Sequence, residues 1–242
     1  MYNVGRFNLV GMTECGAALR RLGSGSKSME ETANRIVKYL HENFTDGSEG
    51  KSAFALARFF KTHPSAELEP TLQDFASKLV KAPTISPSTL CLTLLATAGD
   101  KPEWNDRRQS NGHQAIPLLS EQMVASVPMI SNLIRQFGVQ VSTVLKPDPK
   151  LIMDLTQKTF NVFHVPEAPG SPFIPSQNEF VIPCGIKSVL GFGGMLPSGN
   201  LFAVILFSKA PISSEMAELF KPLALSVKMA VLPYEDCVFA GA

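Results

Sequence analysis

Apolar positions recur along this chain with two periods, and the switches between them mark out its elements. Leu9, Met12, Cys15, Leu19 and Leu22 fall at helical spacing, and Gly23-Ser24-Gly25-Ser26 stops that helix. Ser28, three positions ahead of Glu31, has capping-box spacing: its hydroxyl accepts from the Glu31 backbone and the carboxylate reaches back. Met29, Ala33, Ile36, Val37, Leu40 and Phe44 then make one apolar stripe. Ala53–Lys61, short and rich in Phe, predicts a strand, Pro70–Lys81 a helix, and Cys91–Ala98 a second, buried strand. A polar loop over Gly99–Gly112 carries Trp104, and His113–Leu119 predicts a short third strand.

Ser120–Phe137 is helical by periodicity, with Pro128 set to kink it because the ring removes a donor and crowds the preceding turn. Val139–Leu145 is rich in β-branched residues and predicts a strand, and Asp148-Pro149 opens a helix running to about Phe160. Asn161–Glu179 is a Pro-rich loop. Ile186–Leu196 and Leu201–Lys209 predict two antiparallel strands joined by the turn Pro197-Ser198-Gly199-Asn200. Ser213 caps a last helix, which Pro222 bends and Pro233 ends. Terminal helices around a central, mostly antiparallel sheet make the fold class α+β. No segment of 20–50 residues repeats, which excludes a solenoid.

Composition narrows the function classes. Apolar residues make up 45% of the 242 positions and charged residues 18%, enough to bury a core and leave apolar surface for a partner. The net charge is +1 and neither half of the chain is polarised, which argues against binding to a nucleic-acid backbone. Cys15, Cys91, Cys184 and Cys237 lie far apart with no C-x-x-C, and the N-terminus lacks a basic start followed by an apolar run. The longest apolar run, Leu201–Phe207, has seven residues against about 20 for a membrane span. The expectation is a cytoplasmic protein with reduced thiols and no membrane contact.

Several segments, taken in order, resemble a GAF domain, the small-molecule sensor module found in bacterial histidine kinases and cyclases. SMEETANRIVKYLHENF is similar to the entry helix of such modules, FALARFFKTHP to the next strand, and CLTLLATAGDKPEWN to the strand and glycine turn after it. FHVPEAPGSPFIP resembles the family's V-x-D-A segment, with Pro166-Glu167-Ala168 where many members have Asp. GIKSVLGFGGMLPSGNLFAVILFSKAPIS resembles the closing hairpin, and Met216–Val231 the exit helix. The signature of the cyclic-nucleotide-binding branch is not present. The resemblance implies a six-stranded antiparallel sheet flanked by helices, with entry and exit helices together on one face. It also implies a homodimer through the terminal helices and a small-molecule signal passed to an effector. That effector is C-terminal or separate, such as the histidine kinase of a two-component system. On this reading residues 1–27 are a helical extension that supplies a dimer contact, 28–232 the sensory domain, and 233–242 a tail or linker.

Candidate ligand-binding residues are Trp104, Arg107, His113, His164, Cys184 and Lys187. Trp104 beside Arg107 and Arg108 suits closure over an anionic or planar ligand, or equally a side chain folded back as a lid on the sheet. His164 lies in the segment near the family's pocket, as an axial ligand for haem or as a core histidine. Cys184 suits a covalent bilin, or a small buried hydrophobe. No two histidines stand at i,i+3 or i,i+4, so no metal site is predicted. G-x-S-x-G and H-E-x-x-H do not occur, and Ser24-x-x-Lys27 lies in a loop that builds no oxyanion hole, so no catalytic residue is assigned. Gly191-Phe192-Gly193-Gly194 lacks phosphate-loop spacing and marks a bulge or a close backbone approach. The cofactor is left unassigned. The second functional reading is a structural dimerisation module with no ligand.

Overall fold

The computed structural model describes residues 1–47, 51–81, 84–146 and 161–239. The helix expected over 148–160 lies outside the described residues. Six strands form one antiparallel sheet: β1 (Phe54–Pro64), β2 (Leu90–Gly99), β3 (Ala115–Pro117), β4 (Asn161–Val165), β5 (Ser188–Met195) and β6 (Leu201–Ser208). Their order across the sheet is β3-β2-β1-β6-β5-β4. Every residue of β2, β5 and β6 is buried, so both faces of the sheet are covered, and this explains why these strands show no polar alternation. A register shift between Phe59 and Phe60 twists the long central strand β1.

The first face carries α1 (Leu9–Arg21), α2 (Met29–Asn43) and α3 (Pro70–Leu79). The chain returns to that face with α7 (Ser214–Glu218) and α8 (Lys221–Val231). Here Phe44 and Phe220 stack with Phe7 and Phe54 in an aromatic cluster, with ring centroids 5.0–5.4 Å apart. Leu19 and Cys15 are fully buried, and Gly16 lies against Ser226, so α1 lies along α8. The entry and exit helices thus share one face, as the fold resemblance implies. Residues 1–27 add Val4, Phe7, Cys15 and Leu19 to the same core as the rest of the chain. Residues 233–239 also fold back, with Phe239 buried and the Cys237 and Val238 carbonyls accepting from the Met29 and Glu30 backbone at the start of α2. The second, distal face carries α4 (Glu121–Ala125), α5 (Pro128–Gln136), α6 (Val141–Leu145) and the long segment 166–187.

Three local expectations are corrected. Val139–Leu145 is not a strand: Val141, Val144 and Leu145 stand at i, i+3, i+4, and this helical spacing outweighs β-branched composition once Gly138 (φ +75°) has ended α5. The fourth strand is Asn161–Val165, inside the expected Pro-rich loop. It pairs with glycine-rich β5, where Phe163 faces Gly191 and would stand 3.3 Å from a Cβ there. Pro128 and Pro222 sit in the first turn of new helices rather than bending long ones, since a missing N–H costs nothing there. At Gly193 the close backbone approach is real, because a Cβ would lie 2.1 Å from the Phe202 carbonyl.

Candidate functional site

Between the distal face of the sheet and α5 lies a cavity of about 190 Å³. Its floor is Leu56 and Phe60 of β1, Leu92 of β2, and Ala203, Ile205 and Phe207 of β6, with Met129, Ile130 and Leu133 of α5 above. Trp104 and Phe180 close one side. The Trp104 ring meets Phe180 edge-on at 5.5 Å, and Phe180 meets Phe207 the same way at 5.0 Å. Lys101 Nζ stands 4.8 Å from the Trp104 ring centre on the side facing water.

Two charged or titratable side chains enter this apolar wall, Arg58 and His113. Period-2 geometry puts Arg58 on the same face as Leu56 and Phe60, in the middle of β1. Its Nε is buried without a hydrogen-bond partner, and burial pushes the guanidinium down to about 10. His113 keeps its outer edge in solvent while its inner edge lines the cavity; burial there, and then the Arg58 charge, lower its pKa.

The expected site residues do not converge. Trp104 and His113 line the cavity; Arg107, His164, Cys184 and Lys187 do not. Arg107 is buried on the opposite side of its loop, with Nε 2.5 Å from Glu30 Oε1 and Nη2 2.9 Å from Glu69 Oε2. Burial works against its charge, but the two carboxylates outweigh it and hold the pKa above the ordinary value. His164 Nε2 is bonded to the Ile212 carbonyl at 2.9 Å, which engages the nitrogen a haem iron would need. Cys184 packs half-buried against the distal core, away from the cavity lining. A cavity slightly larger than one that holds benzene has no room for a tetrapyrrole, and His164 lines a separate surface hollow with Asn132 and Arg135. Lys187 is exposed, and its backbone continues the sheet pairing at the start of β5, donating to the Ser208 carbonyl and accepting from the Ala168 N–H.

Arg58 is the residue that strand periodicity should have flagged. One cation at an inward position of AFALARFFK is expensive unless something answers it. His63 and Lys61, further along β1, are buried on the other face beneath the returning C-terminal segment, where His63 lies 5.5 Å from the Phe239 ring. Among the described residues no group of three or more His, Cys, Asp or Glu could hold a metal ion. No helix there is long and apolar enough to cross a membrane.

The sheet, the helices on both its faces and the adjoining terminal helices are those the sequence resemblance implies. The architecture is GAF-like. No family model matches the chain, and no curated protein matches it. Among solved structures it is similar to free methionine-R-sulfoxide reductase from Neisseria meningitidis in complex with its substrate, with 9% identity, 94% of this chain and 92% of that one covered, and TM-score 0.48. It is also similar to the GAF domain of an Acinetobacter phosphoenolpyruvate-protein phosphotransferase, with 11% identity, 98% and 100% covered, and TM-score 0.46. A third is the phycoerythrobilin-bound GAF domain of a cyanobacterial phytochrome, with 10% identity, 95% and 99% covered, and TM-score 0.40. Such likeness concerns the fold; the site is argued from its own residues.

Proposed function

We propose that this chain is a non-catalytic, cytoplasmic sensory domain. It binds a small molecule in the distal cavity and passes the event to an effector through its terminal helices. One observation carries the reading. The loop Pro102–Gln109 places Trp104 in the cavity wall and, three residues on, clips Arg107 to Glu30 at the start of the entry helix. A change at Trp104 is therefore felt where the chain's two ends meet. The Arg107 guanidinium also lies 5.5 Å from the ring of Phe239, which follows the exit helix.

The test is to fill the cavity. Ala203→Leu replaces a floor residue with a larger one at a site that has room. Small apolar fragments are expected to raise the melting temperature of the wild type and leave that of Ala203→Leu unmoved, with both proteins folded by circular dichroism. If no fragment stabilises the wild type, the structural dimerisation module becomes the better account.

Output through the ends also calls for a second copy. Leu9 and Val10 of α1 and Leu225 and Met229 of α8 are exposed apolar residues on adjoining helices. A homodimer through this surface buries about 1,600 Å² if it is of ordinary stable size. Sedimentation should find a dimer at tens of micromolar (about the range where such an interface holds) and a monomer after Leu225→Lys with Met229→Lys. A wild type already monomeric there removes the dimer from the proposal. The effector, such as a histidine kinase, would read the spacing of the paired exit helices.

A further inference from the structure

We propose that the distal cavity is selective for a small apolar carboxylate, a single ring or a branched chain bearing one anionic group, and that Arg58 reads the charge. The inference rests on the cavity being a ligand site and adds the chemistry of what enters it.

Charge decides the class. Arg58 has no hydrogen bond or ion pair to any described residue, and its Nε is sealed from water. Arg107, in the same fold, shows what a buried guanidinium ordinarily requires, two carboxylates at bonding distance. Burial lowers Arg58 only to about 10, so it stays cationic at neutral pH. The cavity wall therefore carries a half-buried cation whose Nε lacks a partner, and a bound anion would satisfy it. A carboxylate matches the planar fork of the guanidinium with two parallel bonds. Beside it, His113 is largely neutral at pH 7, because burial and the neighbouring Arg58 charge oppose protonation. It can donate one N–H to the same anion while staying neutral.

Size and polarity decide the rest. Around Arg58 the wall includes Leu56, Phe60, Ile205, Phe180 and Trp104, which suits hydrocarbon or a ring face. At about 190 Å³ the cavity exceeds the roughly 150 Å³ that holds benzene, leaving room for one short polar arm.

Trp104 is the chain's single tryptophan, so its emission reports on the cavity directly. Titration with benzoate and phenylacetate, against benzamide and phenylacetamide, should shift that emission and show the acids binding about tenfold or more tightly than their amides. Arg58→Met should abolish the preference, bringing the acids down to the affinity of their amides, and melt no lower than the wild type, since it deletes an unanswered charge. Equal affinity for acids and amides, or a preference that survives Arg58→Met, overturns the role of Arg58 and leaves the cavity as a site for neutral ligands. No response to any of the four probes at millimolar concentration (about the weakest binding such fragments show) overturns the ligand site as well.

Discussion

Arg107→Leu is expected to destabilise the protein by about 3–5 kcal/mol, the cost of breaking a buried ion pair by removing one member. Arg107 is 5% exposed and Glu30 6%, so loss of the guanidinium takes from the Glu30 carboxylate its 2.5 Å bond and from Glu69 its bond across the loop. Leucine keeps part of the packing against Phe239 but none of the bonds. Urea unfolding measures the loss. If loss of the ion pair is the cause, Glu30→Gln in the same chain should recover part of it; if lost packing is the cause, it should recover none. The variant should also free the Pro102–Gln109 loop and shift Trp104 emission towards the red. A loss below about 1 kcal/mol would place the triad among solvated surface pairs and cut the proposed link between cavity and ends.

Gly23→Ala carries the second large effect. Gly23 closes α1, and a Cβ there would lie 2.3 Å from the Ala230 carbonyl oxygen of α8, a backbone atom that cannot rotate aside. Tyr234 donates its hydroxyl to the Gly23 carbonyl at the same place, so the two ends of the chain are clasped twice. The methyl must push α8 outward, at a cost of about 1–3 kcal/mol or more, and should loosen the bond from Tyr234. Hydrogen exchange should quicken along Lys221–Val231 while the distal-face helices keep their protection. Unchanged stability would mean that the ends are not packed as described.

Much of the fold is visible in local pattern, because its signals are local. The Ser28 hydroxyl accepts from the Glu31 backbone at 3.1 Å as capping-box spacing requires, although the Glu31 carboxylate reaches Lys27 rather than Ser28. The β5–β6 hairpin follows from two apolar runs around Pro-Ser-Gly-Asn. The fourth strand was hidden because five residues of mixed polarity become a strand only when glycine-rich β5 offers them room.

The site divides in the same way. Trp104 in its polar loop and His113 at the start of the expected third strand are scarce residue types, and both line the cavity. Arg107, expected beside Trp104 as a ligand contact, instead bonds Glu30 and Glu69, which lie 77 and 38 positions away where no local pattern joins them. Arg58 is inconspicuous within an apolar run, and only the sheet, by turning its face towards α5, makes that cation part of a cavity wall.

The most direct test of the account is amide hydrogen exchange at Met29 and Glu30, whose N–H groups donate to the Cys237 and Val238 carbonyls. It is to be followed as phenylacetate is raised until Trp104 emission saturates. The account predicts that protection at these two amides changes together with protection of the cavity lining, because Trp104 and Arg107 share one short loop. Protection that changes around the cavity alone, with Met29 and Glu30 unaltered at saturation, would contradict it.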